Sequence, residues 1–250
     1  MQEIRIHSAH NHYVKHWIKL KASSSYRDIQ GTLLLEGKSS VVDVCTKCEA
    51  LHLILLENVQ APSNIHYRSL VRVSASIMKK ISSLECPEGW LAELPLPRQK
   101  IDPLSQKILA LDAISDPGNL GTLIRSCLAL GWDGIYLLEN CCDPFNDKAL
   151  RAAKGATFRI PLAQGSFEDF LSFVQKKKMN VFLADTEGSP LKSTASKEPL
   201  ALILSRESQG ARKEAKSQFQ RVTIPMYGPM ESLNVASAGS ILLYALRGIL

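Results

Sequence analysis

From about residue 104 onward the chain alternates short apolar runs with amphipathic stretches, and this alternation limits the possible folds more than any other feature. Residues 108–113 form a largely apolar run of strand length, ended by the turn chemistry of Asp116-Pro117-Gly118. Beyond the turn, Leu120, Leu123, Ile124, Cys127 and Leu128 recur at helical spacing, which commits one face of a helix to a core. Asn119 stands at the expected N-cap, and Arg125 falls one turn in, on a flank shared with Gly121. Further strands are expected at 134–138, 158–162, 181–184 and 200–204, and helices near 148–154, at 166–178 and from 233 to about 247. The helix at 166–178 opens with a Ser166/Asp169 capping pair ahead of Phe167, Phe170, Leu171 and Val174. Such alternation predicts an α/β fold: a parallel sheet with helices on both faces.

Residues 1–95 read as a separate first unit. Residues 11–21 make an amphipathic helix whose polar side carries Lys15 and Lys19, with Arg27 close by; the three are either a solvated face or phosphate contacts. Residues 31–37 and 51–56 are strands. Gly37-Lys38-Ser39 follows Gly31 by one residue too many for a phosphate loop, and the intervening residues are strand-like, so that reading is rejected. Pro95 and Pro97, followed by Arg98 and Lys100, mark a semi-rigid linker. The expected division is therefore 1–95, a linker at 96–103, and 104–250.

A net charge of +6 leans toward polyanionic partners without requiring one. No run of 18 apolar residues exists, so no membrane-spanning helix is expected, and the N-terminus lacks a secretory pattern; the cytoplasm is the expected location. Cys45 and Cys48 form a C-x-x-C with no second pair at zinc-ribbon spacing, so the six cysteines read as buried or idle thiols. His7, His10, His12 and His16 crowd one segment at irregular spacing without a carboxylate set, which suits a polar or RNA-facing stretch and not a metal site.

Ligands of open parallel sheets bind beyond the C-terminal ends of the strands, where the loops after residues 114, 204 and 224 can converge. Three blocks occupy those loops: Asp116-Pro117-Gly118-Asn119-Leu120-Gly121 through Arg125, with Asp143-Pro144 and Arg151-Ala152 to Gly155-Ala156; Leu202-Ile203-Leu204-Ser205-Arg206-Glu207-Ser208-Gln209-Gly210; and Ile224-Pro225-Met226-Tyr227-Gly228-Pro229-Met230-Glu231-Ser232-Leu233-Asn234. In order and spacing they resemble the three motifs of the SpoU (TrmH) branch of the SPOUT RNA methyltransferases. The second block departs most, reading Ser205-Arg206-Glu207-Ser208 where the family usually has Gly-Asn-Glu-Gly. The first unit resembles the substrate-binding domain that precedes many of these enzymes, a small fold similar to RNA-binding ribosomal proteins. Ser8, Asn11, Val14-Lys15, Leu20, Arg27, Leu35-Glu36-Gly37 and Cys86-Pro87-Glu88-Gly89 carry that likeness.

The resemblance implies a C-terminal trefoil knot holding S-adenosylmethionine, and methyl transfer to a ribose 2′-hydroxyl of ribosomal, or else transfer, RNA. It places the cofactor against Leu204, Ser205, Gly210, Ile224, Met226, Ser232, Leu233 and Asn234. It makes Arg125 the central catalytic residue, with Asn119, Glu207, Ser232 and Asn234 completing the site. A guanidinium stays protonated, so Arg125 is expected to bind phosphate, orient the hydroxyl and offset alkoxide charge. RNA contacts are expected at Lys15, Lys19, Arg27 and Arg125. A homodimer is expected through the last helix, where Leu233, Ala236, Gly239, Ser240 and Ala245 supply small or close-packing positions beside Ile241 and Leu242. Two other readings stay open: a catalytically impaired SPOUT-fold RNA-binding protein, from the altered second block, and a different nucleotide enzyme, which no G-x-G-x-x-G after a strand supports.

Overall fold

The structure is a computed structural model that describes residues 2–98, 100–102, 104–191, 199–206 and 210–247. The chain divides into two compact units, residues 1–97 with 145–158, and residues 98–144 with 159–250.

The first unit is a five-stranded mixed sheet. Along the chain come β1 (Gln2–Ile6), α1 (His12–Ala22), α2 (Ser24–Gln30), β2 (Thr32–Glu36), α3 (Lys38–Cys45), β3 (Ala50–Leu56), β4 (Tyr67–Val73), α4 (Ala75–Ile81) and β5 (Trp90–Pro95). The strand order is β1-β4-β3-β5-β2, with β1, β4 and β3 parallel and β5 antiparallel to both β3 and β2. β2 is buried from end to end, as a central-type apolar run should be, although it lies at the sheet edge. The covering explains it: one face holds Leu34, Ile54 and Val71 with Val14, Trp17 and Leu20 of α1, and the other holds Leu33, Leu35 and Leu53 with Val41 and Val44 of α3.

Leu150 and Phe158 belong to that second cluster, which is why residues 145–158 pack with the first unit although sequence order places them beyond the linker. The helix expected near 148–154 is present as α6 (Asp147–Ala153). The strand expected at 158–162 is displaced: residues 156–158 form a short 3₁₀ turn, and the strand begins only at Leu162.

The second unit is a six-stranded sheet in the order β11-β9-β10-β6-β7-β8, parallel throughout. Its elements are β6 (Lys107–Asp112), α5 (Pro117–Ala129), β7 (Gly134–Leu137), β8 (Leu162–Gln164), α7 (Phe167–Lys176), β9 (Asn180–Pro190), β10 (Leu200–Ser205), α8 (Lys213–Gln218), β11 (Gln220–Thr223) and α9 (Val235–Leu246). Every residue of β6 is buried, because helices cover both faces of the strand. Ile108, Ala110, Ala201 and Ile203 pack with Phe167, Phe170 and Val174 of α7 and with Ala215 of α8. On the opposite face α5 and α9 lie together: Ser126 Oγ and Ser240 Oγ are 2.8 Å apart, and Trp132 Nε1 donates to the Leu243 carbonyl at 3.2 Å. Gly239 permits this approach, since a methyl group there would overlap Leu123 and Leu204. The α7 capping box forms as its sequence predicts. No helix among the described residues is long and apolar enough to cross a membrane.

Candidate active site

α5 starts one residue group earlier than its sequence suggests. Asp116, not Asn119, is the N-cap, its carboxylate accepting from the Asn119 amide at 2.8 Å, with Pro117 as the first helical residue. The proline fixes φ for a helix start and lacks the amide that position would leave unpaired. Asn119 is thereby freed to use its side chain elsewhere, and its Oδ1 accepts from Asn234 Nδ2 at 3.1 Å. Asn234 is itself the N-cap of α9, accepting from the amides of Ala236 at 2.9 Å and Ser237 at 3.4 Å. One hydrogen bond between two helix starts therefore joins the first and third sequence blocks. Arg125 is exposed on α5 and makes no hydrogen bond or ion pair with another described residue.

A cavity of about 430 Å³ opens beyond the C-terminal ends of β10 and β11. Its apolar wall comes from Leu204, Ile224, Met226, Leu233 and Leu242. Ser205, Arg206 and Gly210 close it from the loop after β10, and Glu231 and Ser232 from the segment leading into α9. Of the residues assigned to the cofactor, Leu204, Ser205, Gly210, Ile224, Met226, Ser232 and Leu233 all stand on this wall; Asn234 lies just past it, at the α9 cap. Asn119 and Arg125 are not on the wall. Glu207 and Ser208 fall outside the described residues. β11 ends at Thr223, so Ile224 opens the loop instead of a strand.

Two buried polar groups on that wall differ in how they are satisfied. Ser205 Oγ is buried with no hydrogen-bond partner. Asp185 Oδ2 is buried and held by Lys216 Nζ at 3.0 Å. Burial alone would raise the Asp185 carboxyl; the Glu187 amide, Lys216 and Arg221 outweigh it and hold it below the ordinary carboxylate range.

Beside the cavity, Arg212 forms the strongest charged cluster of the unit. Its guanidinium is bidentate to Asp112 at the end of β6 (2.8 and 2.6 Å), reaches Glu139 at 3.0 Å, and stacks over the Phe167 ring at 4.5 Å. Asp112 raises the Arg212 pKa, and burial opposes that only in part. Burial would also raise the Glu139 carboxyl, but the Phe167 amide and Arg212 together lower it. The Asp112 carboxylate is thus committed to Arg212, which leaves Arg125 unpaired with it. Ala113, the residue after Asp112, has φ +57°, an uncommon conformation for a side chain with a Cβ, and it turns the chain out of β6 toward α5.

In the first unit Lys15 and Lys19 are exposed on α1, with Lys19 Nζ 5.6 Å from the Tyr26 ring centroid. Arg27 is not available to RNA. It is 5% exposed, and Nη1 donates to the carbonyls of Leu20 at 2.5 Å and Lys21 at 3.3 Å, so it caps the C-terminus of α1. His16 also turns inward, to Glu93 Oε1 at 3.0 Å and Tyr26 Oη at 2.9 Å. Cys45 is buried, which pushes its thiol up to about 12, with Cys48 adding to the shift.

Sequence reading missed Arg212, Asp185 and Lys216. A cation at the N-cap of a helix opposes the helix dipole, and that conflict was the available signal for a paired Arg212. Asp185 was hidden because β9 runs on to Pro190, past the expected strand end at 184.

The sequence profile of the SpoU rRNA Methylase family matches residues 106–244, and that of the MRM3-like substrate binding domain matches residues 11–92. The chain is 32% identical to the 23S rRNA (guanosine(2553)-2'-O)-methyltransferase RlmP of Bacillus subtilis, over 98% of this chain and 99% of that protein. It is 26% identical to the mitochondrial rRNA methyltransferase 3A of Danio rerio, over 89% of this chain and 65% of that protein. Among solved structures, an AdoMet-bound rRNA methyltransferase from Sinorhizobium meliloti superposes with a TM-score of 0.82 at 25% identity, covering 99% of this chain and 98% of that one.

Proposed function

Because the chain belongs to the SpoU rRNA methylase family, we propose that it transfers a methyl group from S-adenosylmethionine to a ribose 2′-hydroxyl of ribosomal RNA. The observation that carries this reading is the cavity at the ends of β10 and β11, where the second and third sequence blocks meet while the Asn119–Asn234 bond ties in the first. The cavity fits the cofactor: its volume is within the ~300–1,000 Å³ typical of small-molecule sites, its wall is largely apolar, and it presents one buried hydroxyl, Ser205 Oγ, without a partner. Ser205 and Arg206 stand on the wall and leave a cavity of about 430 Å³, and the match to the methylase family does not favour an impaired, RNA-binding-only protein.

When bound, the cofactor supplies an electrophilic methyl group on a sulfonium. The protein's residues do the rest. Leu204, Ile224, Met226 and Leu233 exclude water from the cavity, and Gly210, Ser232 and the Asn234 cap bound its mouth. Arg125, unpaired and exposed, binds the RNA backbone, orients the 2′-hydroxyl and offsets negative charge as its proton leaves. Asn119 keeps α5 in place against α9 through Asn234. Glu207 completes the site by the sequence resemblance.

Residues 1–95 serve as the RNA-gripping domain, of the ribosomal-protein-like kind, through Lys15 and Lys19; residues 96–103 link it to the catalytic part, 104–250, whose C-terminal segment forms the trefoil knot. The cytoplasm is the place of action. The homodimer forms through α9, but not by the small residues that suggested it: Gly239 and Ser240 are spent against α5, β10 and Ser126. The outward stripe of Ile241, 46% exposed, and Tyr244, 39% exposed, is the surface that a second copy would cover.

Titrating the protein with S-adenosylmethionine in a calorimeter, with and without ribosomal RNA, tests the reading. Micromolar binding followed by methylation of a single 2′-hydroxyl, mapped by nuclease or alkaline resistance, is the expected result. No binding at millimolar cofactor in either condition overturns it.

A further inference from the structure

We infer that the His12 ring, at the start of α1, is a stacking platform for an unpaired base of the RNA, a role that rests on the RNA-gripping reading of the first unit. Asn11 caps α1, its side chain accepting from the Tyr13 amide at 2.9 Å, and this fixes the first turn. From that turn His12, Tyr13 and Trp17 form a ladder of rings. His12 and Tyr13 are 4.2 Å apart between centroids at 35°, and Tyr13 and Trp17 are 5.7 Å apart at 25°. The inner end is anchored: Trp17 is fully buried and its Nε1 donates to Glu93 at 2.9 Å. Rings on consecutive residues can touch without consequence, but Tyr13 is also met edge-on by His52 at 5.1 Å, so the ring beneath His12 is fixed from two sides. The outer end is open. His12 is exposed, and its ring makes no hydrogen bond or ion pair with a described residue.

The chemistry of the ligand follows from what accompanies that ring. His12, Lys15 and Lys19 are spaced three and four residues apart, so they share one exposed stripe of α1, with Lys15 about 4.5 Å and Lys19 about 10 Å further along the axis. α1 carries no acidic residue that would repel a polyanion. A ring followed by two ammonium groups suits a strand whose base stacks on the ring while its phosphates meet the lysines. Within a duplex the faces of a base are covered by its neighbours, so a side chain on the flank of a helix meets phosphate and ribose there but no open base. An unpaired base has a free π-face, and stacking on it tolerates any sequence because every base has one. Tyr13 and Trp17 are ordered before the base arrives, which keeps the entropy cost of stacking low. The neighbouring rings of His16 and Tyr26 are committed to each other at 2.9 Å, and His16 to Glu93 at 3.0 Å.

The test measures binding of the full chain, by fluorescence anisotropy, to a short oligouridylate and to the same strand built from abasic riboses, which retains every phosphate and removes the bases. Wild type is expected to prefer the base-bearing strand. His12→Ala should shrink that preference about 5–20-fold, the size of one base–aromatic stack, and leave the melting temperature and the salt slope of binding unchanged. His12→Phe should retain or increase the preference, because the ring face and not its nitrogens makes the contact. Lys15→Ala should instead weaken both strands alike and reduce the salt slope. Equal wild-type affinity for the two strands overturns the proposal, as does a His12→Ala preference within about twofold of wild type. A loss in His12→Phe as large as that in His12→Ala overturns it too, since the effect would then belong to a hydrogen bond or a charge. A lower mass of His12→Ala in light scattering, with the RNA preference unchanged, would assign the surface to a second copy of the chain and also overturn it. Failure of the wild type to bind either strand overturns the RNA-gripping reading of the first unit itself, and is told apart by that.

Discussion

The two units pair their buried charges alike and differ in the buried polar groups they leave open. In the first, each buried charged group is closed by its own unit: Glu93, 4% exposed, takes Trp17 Nε1 at 2.9 Å and His16 Nε2 at 3.0 Å, Glu36 takes the Ser83 amide at 2.9 Å and the Ser82 hydroxyl, and Arg27 caps α1. In the second, Asp112 at the end of β6 is held by Arg212 and Asp185 of β9 by Lys216, both cations coming from the segment after β10, while Ser205 Oγ on the cavity wall is left without a partner. A saturated buried carboxylate is architecture, and an unsatisfied buried hydroxyl on a cavity wall is an offer to a ligand. Residue type alone does not distinguish them. Arg27 and His16 look RNA-facing in the sequence and are spent internally, whereas Arg125, also expected to meet RNA, is left unspent.

The sharpest way to break this contrast is to remove the unspent group. Arg125→Ala is expected to lower kcat by about 10²–10⁴-fold, with cofactor affinity and melting temperature unchanged. No partner among the described residues is lost with it, and Ala favours an exposed helix position. Arg125→Lys should recover little, because an ammonium lacks the planar fork. A variant that binds cofactor and methylates within about fivefold of wild type would remove Arg125 from the chemistry.

The next effect tests where the units begin and end. Leu150→Ala should cost about 2–5 kcal/mol, and the loss should fall on the first unit, because Leu150 packs with Leu33, Leu35 and Val44. Hydrogen exchange should quicken in β2 and β5 and stay unchanged in β6 and β10. A linear cut at residue 96 would strand Leu150 and Phe158 without their core, so loss of the first unit is better produced by point substitution than by truncation.

Arg212 stands between the two modes, since it is fully paired yet borders the cavity through Gly210 and Ala211. Arg212→Met leaves Asp112 buried without a counter-charge and should cost about 2–3 kcal/mol, below the ~3–5 expected of a fully buried pair because a quarter of the Arg212 side chain meets solvent. Arg212→Met/Asp112→Asn should recover part of that loss, and its failure to do so in thermal or urea unfolding would show that the pair is not what holds the loop.

The parallel sheet, its two covered faces and most element positions were legible because hydrophobic period carries them: the strand expected at 108–113 and found at 107–112, the α5 stripe and the α7 capping box all appear in the sequence. What was illegible depends on partners far along the chain. Asp116 outcompetes Asn119 for the α5 cap because Pro117 fixes the first helical residue, and Asn119 then finds Asn234, 115 positions away. Arg27 answers to carbonyls at the end of α1, and Asp185 to a strand that continues past its expected end. Small residues in α9 were legible as close packing, but not as packing within the same chain.

A smaller effect separates the units by pH. Burial lowers the His52 pKa from 6.5, with Glu93 opposing and His16 adding to the shift. Below about pH 6.5 the unfolded chain takes up a proton that folded His52 declines, so His52 favours the folded state fully above that pH and less as the pH falls through it, by at most about 1.4 kcal/mol per pH unit. The depressed Asp185 and Glu139 carboxyls act the other way in range: their contribution to the second unit is present above their ordinary pKa and is lost only on further acidification. Unfolding followed by exchange at single amides should therefore show the first unit weakening before the second between about pH 7 and 5, and His52→Asn should flatten that slope.

The smallest expected change returns to Lys15, Lys19 and Arg27, which the sequence groups and the structure divides. Lys15 and Lys19 are exposed on one side of α1, and a phosphate contact by either releases a counterion from RNA. Lys15→Ala and Lys19→Ala should each weaken RNA binding only a few-fold at moderate salt and reduce the salt slope of log K by about 0.7–0.9, leaving cofactor affinity and melting temperature unaltered. Arg27→Met should do the reverse, lowering the melting temperature by uncapping α1 while the RNA salt slope of the folded protein stays at the wild-type value. Filter-binding titrations across a range of potassium chloride concentrations decide the matter. Equal salt slopes for all four proteins would mean that α1 faces away from RNA, and a reduced slope in Arg27→Met alone would mean that the guanidinium leaves its carbonyls to meet phosphate.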